Sequence, residues 1–172
     1  MRTKSDMLTL IAAILVAVGV VIFLFLTPVT LDITRFNSTD YGKSTISIGL
    51  TGMDVIFGVP LDEEVNIINF NPYLFFSMVI TIIVCIMLFL DRFGIIYSDY
   101  SLIYIIVLFI SVIVTVLSET LVYTCSMLEY VEGPSCEISI TITAILSGIC
   151  FLAAAFSIIT KKWGDTDKGI SL

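Results

Sequence analysis

The sequence predicts an all-α membrane domain, a four-transmembrane-helix bundle, carrying a small antiparallel β-sheet on one side, so that the chain is α+β overall. Three observations lead there. Of 172 residues, 58% are hydrophobic and only 13% are charged, whereas a soluble domain carries roughly 25% charged residues. The mean hydropathy of +1.10 leaves too little polar surface to face water. Four stretches without a charged residue approach or reach the roughly 20 residues that cross a hydrocarbon core, and the segment between the first two changes to a period of two, the signature of strands.

The expected spans are 7–27, 73–90, 101–118 and 138–160. Ser5-Asp6 precedes the first. Asn71-Pro72 opens the second, with proline where its missing N–H does no harm, and Asp91-Arg92 closes it. Ile95 to Tyr97 leave the start of the third open to a backward extension. Its short connection to the second predicts an antiparallel helical hairpin. The fourth ends at Lys161-Lys162-Trp163, two snorkelling cations beside an interfacial aromatic. The first span is longer than the 7 to 15 residues of a signal-peptide core, and Phe23 to Pro28 offer no small-x-small cleavage site, so it is expected to be retained.

Positive charge sets the orientation. Residues 1–6, 91–100 and 161–172 hold Arg2, Lys4, Arg92, Lys161, Lys162 and Lys168, against Arg35 and Lys43 in loops 28–72 and 119–137. The excess places both termini in the cytoplasm of a plasma-membrane protein. The outer loops then carry a net charge of −8 and the cytoplasmic parts +1.

Loop 28–72 exceeds the roughly 12 to 15 residues beyond which structureless connections are uncommon. Leu31 and Ile33 alternate with Thr30, Asp32 and Thr34, and Ile46, Ile48 and Leu50 with Thr45, Ser47, Gly49 and Thr51. Met53, Val55 and Phe57 resume the alternation after a phase change at Gly52, which reads as a bulge in a third strand. A turn over 37–42 would join the first two strands, Gly58-Val59-Pro60 would end the third, and 65–70 is a candidate fourth. One apolar face would rest on the helices, with one polar face to water.

In loop 119–137, a strand at 121–125 is expected to fold back at Gly133-Pro134, with Cys125 and Cys136 forming a disulfide staple on the oxidising side. A catalytic role for either thiol is disfavoured because the chain has no histidine. The same absence removes most triads and common zinc sites. No cofactor or metal is expected: Asp62-Glu63-Glu64 and Glu129, Glu132 and Glu137 lack the spacing of a calcium loop. Asn37-Ser38-Thr39 fits a glycosylation acceptor, and equally an ordinary polar turn. A net charge of −7 without a basic patch excludes nucleic-acid partners.

The spans contain no Asp, Glu, Lys, Arg or His and no Gly/Pro break, which argues against a pump or pore built by this chain alone. They carry small and weakly polar stripes, Ala144, Gly148 and Ala155 in the fourth among them, that serve helix packing or the docking of another membrane protein.

Four spans, cytoplasmic termini, a long strand-bearing first outer loop and a short second one resemble the claudin-like tetraspan topology. The resemblance is topological: loop 28–72 has neither the tryptophans nor the cysteines of the claudin signature, and the sole Trp163 is on the cytoplasmic side. The family's paracellular function is therefore not implied. The segment Thr51-Gly52-Met53-Asp54-Val55-Ile56-Phe57-Gly58 is similar to a Thr-Gly-x-x-x-x-Phe-Gly stretch of small bacterial membrane proteins, a similarity that implies no activity. The expected function is non-enzymatic. An acidic extracellular platform, shaped by Thr51, Gly52, Asp54, Phe57 and Gly58 and stapled by Cys125–Cys136, would recognise another membrane protein or a second copy of the chain, with lipid as the surrounding partner. The alternative is an accessory subunit of a transporter or channel, docked through its helix faces.

Overall fold

The computed structural model describes residues 4–36, 43–62, 65–96, 99–125 and 135–169. Its elements, in chain order, are α1 (Lys4–Phe25), β1 (Val29–Phe36), β2 (Lys43–Leu50), α2 (Gly52–Phe57), β3 (Val59–Asp62), β4 (Val65–Ile68), α3 (Pro72–Arg92), α4 (Ser101–Val116), α5 (Ser118–Cys125), β5 (Ser135–Ile140) and α6 (Ile142–Gly169).

Three helices, α1, α3 and α6, are long and apolar enough to cross a membrane, and α4 with α5 makes a fourth only if this pair, bent by 64°, is one span. The four long helices form a ring in which α1 packs on α6 and α3, and α4 packs on the same two. The expected limits of the second span hold to within two residues. Asn71 accepts from Leu74 N at 3.2 Å and caps α3, Pro72 occupies its first turn, and the helix stops at Arg92.

Two other limits move. The fourth helix starts at Ile142, four residues later than expected, because residues 135–140 form β5. The alternation Ile138-Ser139-Ile140-Thr141 is a strand pattern adjoining a helical run, and hydropathy alone merges the two. The third stops at Val116, and the chain turns at Leu117 into α5. Residues 121–125 are therefore helical, not the fold-back strand expected. Ser118 and Val122 are buried, which holds α5 down on the bundle. The backward extension of α4 does not occur: Ser101 N donates to Asp99 Oδ1 at 3.0 Å, fixing the start of the helix.

The sheet differs from expectation in one strand. Its order is β2-β1-β5, all antiparallel, so the third strand comes from the second long connection and not from residues 53–57. The register sets Leu31 opposite both Ile48 and Ile138, and Asp32 opposite Ser47 and Glu137. One face is thus apolar. Val29, Leu31, Leu50 and Ile138 are buried in the same core cluster as Ala12, Val16, Phe23 and Phe151 of the bundle. Ser47, Glu137 and Ser139 lie on the opposite, exposed face.

Residues 52–57 are a helix because Thr51 supplies a capping box: Asp54 N donates to Thr51 Oγ1, and Thr51 N donates back to Asp54 Oδ2 at 2.8 Å. The period-two reading of Met53, Val55 and Phe57, with a bulge at Gly52, is replaced by a single helical turn and a half. Val59, expected to end a strand, begins the separate β3–β4 hairpin. The 37–42 turn with Asn37, the Gly133-Pro134 turn, Glu63, Glu64, Glu129 and Glu132 lie outside the described residues.

Candidate functional site

The sheet end of the molecule is assembled around two close approaches. A Cβ on Gly52 would come within 2.1 Å of the Phe23 carbonyl oxygen and 2.8 Å of Leu24 Cα, so only glycine lets α2 lie against the last turns of α1. Gly58 has φ +92°, and a Cβ there would meet the Ile68 carbonyl oxygen at 2.3 Å. Its N–H donates to Asp54 O at 2.8 Å, closing α2 and turning the chain into β3. Asp54 also accepts from Thr51 Oγ1 at 2.7 Å, so its carboxylate serves the cap. Of the five residues expected to shape a platform, Thr51, Gly52, Asp54 and Gly58 thus have local structural duties. Phe57 is exposed, and its ring stands 6.4 Å from Phe70 and 6.0 Å from Phe75.

Asn71 is the polar hub of this end. It is fully buried and donates from Nδ2 to Leu121 O at 2.9 Å, while its own N–H donates to Ile56 O at 2.8 Å. One residue therefore joins α2, α3 and α5. Asn69 N adds a bond to Cys125 O at 3.2 Å. The sequence shows Asn71 as a helix cap; its two longer-range bonds depend on α5 and α2 and have no local signal.

On the solvent-facing side, α5 and β5 border an open cleft of about 370 Å³ lined by Glu119, Thr120, Tyr123, Glu137, Ile138 and Ser139. Two acids, Glu119 and Glu137, thus line one groove. Beside it runs the polar face of the sheet, with Asp32 directly across from Glu137. Opposed like charges disfavour pairing, and the apolar face beneath supplies the compensating burial. Among the described residues no group of three or more His, Cys, Asp or Glu side chains is placed to hold a metal ion.

The cysteine staple is not formed. Cys125 is a free thiol at the end of α5, and burial raises its pKa. Residues 121–125 are a helix beside β5, not the strand expected. The side chain of Cys136 lies outside the described residues; its backbone pairs with Ile33 in β5.

The small-residue stripe on α6 faces inward. Ala144 and Ala155 are fully buried, and a Cβ on the buried Gly148 would stand 3.8 Å from Val116 of α4. On the α1 side, Ser147 Oγ donates to Gly19 O at 2.8 Å, and Gly19 faces the Phe151 ring so closely that a Cβ would meet it at 2.7 Å. Thr81 and Ser111 bond between α3 and α4 at 2.5 Å. At the far end Lys161 Nζ pairs with Asp91 Oδ2 at 2.9 Å.

No protein-family model matches this chain, and no curated protein matches it in sequence.

Proposed function

We propose that this chain is a non-enzymatic, four-span plasma-membrane protein that recognises a second protein, or a second copy of itself, through the acidic extracellular face of its sheet and the adjoining α5–β5 cleft. The observation that carries the reading is the meeting of Glu119 and Glu137 at that cleft, on a platform fixed from below by a shared apolar core. Membrane insertion is supported by the exposed isoleucine, valine and phenylalanine side chains of α1, α3, α4 and α6, which run without a charge between the helix ends. The lysines and arginines at the end opposite the sheet support cytoplasmic termini. The topology is claudin-like in this sense only.

The accessory-subunit alternative relied on a free small-residue stripe. Ala144, Gly148 and Ala155 are occupied within the bundle, so docking along α6 would have to use other side chains.

The test is photocrosslinking in native membranes with a photoreactive residue at Ser47 or Ser139, compared with one at Ile106 on α4. Adducts at the sheet positions that are lost in Glu119→Gln/Glu137→Gln and weakened by salt support the reading. Adducts confined to Ile106 overturn it in favour of helix docking.

A further inference from the structure

The ring cluster beside α2 is not absorbed by that reading. Phe57, Phe70, Phe75 and Phe76 form a continuous set, with Phe70–Phe75 and Phe75–Phe76 centroids each 5.5 Å apart. Phe57, Phe70 and Phe76 are 54%, 47% and 60% exposed. Met53 adds a further exposed apolar side chain on α2, whose other side, Gly52, Val55 and Ile56, is buried.

Its height in the molecule is fixed twice over. At a rise of about 1.5 Å per residue, α1 and α3 are each just over 30 Å long, which matches the hydrocarbon core of a bilayer at about 30 Å. Their sheet-side ends therefore fall at its boundary. The Gly52 contact sets α2 against Phe23 and Leu24 in the last turn of α1, and the Asn71–Ile56 bond sets it against the first turn of α3. Both place the rings in the zone where amphipathic aromatics collect.

Among the described residues the patch is continuous with further apolar surface. It passes from Phe70 through Tyr73 and Phe76 into Val79, Ile80 and Ile83, all exposed and none charged. That surface is the one α3 would turn to lipid.

We propose that α2 and the Phe57–Phe70–Phe75–Phe76 cluster are an interfacial lipid anchor, seated at the boundary between headgroups and acyl chains of the outer leaflet. The inference rests on the membrane reading above and reassigns Phe57 from the recognition surface to the bilayer. The anchor holds one side of the platform down at the membrane and leaves the polar face of the sheet directed to water.

The test uses single-tryptophan variants in a Trp163→Phe background, reconstituted as full chains into phosphatidylcholine vesicles brominated either high on the acyl chain or near its end. Phe57→Trp and Phe70→Trp should each be quenched roughly two-fold more by the shallow bromines than by the deep ones. Ile106→Trp, about a third of the way along α4, should show the reverse order, and Ser47→Trp on the polar sheet face should respond to neither. If Ile106→Trp is quenched while both ring variants are as silent as Ser47→Trp, the anchor is overturned and the patch belongs to a protein partner. If Ile106→Trp is silent as well, the membrane reading falls with it. Two ring reporters keep the question open to an answer should either variant fail to fold.

Discussion

The Asn71 side chain spans the gap between α3 and α5, accepting the first bond of its own helix and donating to the carbonyl oxygen of Leu121 at 2.9 Å. Asn71→Ala removes both and leaves Leu121 O to the Thr124 hydroxyl, which donates to it at 3.1 Å. It should lower stability by about 1–2 kcal/mol, combining a lost cap with one lost hydrogen bond. Asn71→Ser keeps a capping oxygen but cannot reach Leu121, and should cost about half as much. Thermal unfolding of the detergent-solubilised chain measures both, and equal losses would show that only the cap matters.

Three glycines should respond to alanine in different ways. Gly52→Ala drives a Cβ into the backbone of Phe23, which cannot yield as a side chain does, and should cost at least 2–3 kcal/mol or displace α2. Gly19→Ala strikes the edge of the Phe151 ring at 2.7 Å and should cost about 1–2 kcal/mol as the ring shifts. Gly148→Ala meets only Val116 at ordinary contact distance. It should be neutral or stabilising by about 0.5–1 kcal/mol, the usual gain from replacing a helical glycine. The predicted order of melting temperatures is Gly148→Ala highest and Gly52→Ala lowest.

Cys125 should be alkylated by a maleimide without prior reduction, because it is a free thiol. Burial raises its pKa, so the thiolate fraction at neutral pH is below that of an exposed cysteine and labelling should be slow, accelerating as pH rises into the alkaline range. Labelling that appears only after reductant would establish a disulfide and restore the staple.

Asp99 accepts from the Ser101 side chain and backbone, with Lys162 and Lys161 nearby, and these hold its carboxyl below the usual range. A carboxylate whose pKa is lower folded than unfolded stabilises at pH values above the unfolded pKa. The benefit fades as pH falls through the folded one. Asp99→Asn should therefore flatten the acid limb of a stability profile below the ordinary aspartate range. Above it the variant should be slightly less stable than the parent, since the group is well exposed. A profile identical to the parent's would remove the Asp99–Ser101 bond from the account.

What could be read in the residues follows the range of the interactions. The helix Pro72–Arg92 is marked by Asn71-Pro72 at one end and Asp91-Arg92 at the other, and the β1–β2 pair by strict alternation on both strands. These signals are local. Residues 52–57 form a helix too short to display a 3.6-residue period, and with three apolar side chains at every second position they imitate a strand. The Thr51–Asp54 pair was the available clue. β5 was hidden for a different reason: its alternation runs straight into α6, so a hydropathy window extends the span over it. The inward burial of Ala144, Gly148 and Ala155 depends on which helices are neighbours, and the meeting of Glu119 with Glu137 depends on the turn at Leu117. Neither is written in spacing.

The central strand β1 has its two partners at very different distances along the chain. β2 follows almost at once, whereas β5 begins about a hundred residues later, after α2, both hairpin helices and α5. At roughly 5–20 residues per second of synthesis, one edge of β1 stays open for about 5–20 seconds before its second partner exists. Its exposed N–H and C=O groups are a template for any strand of a neighbouring chain during that interval. Completion of the sheet therefore waits for β5, which only α6 follows in the chain. A nascent chain stalled before residue 135 would display an adhesive edge that the finished molecule conceals.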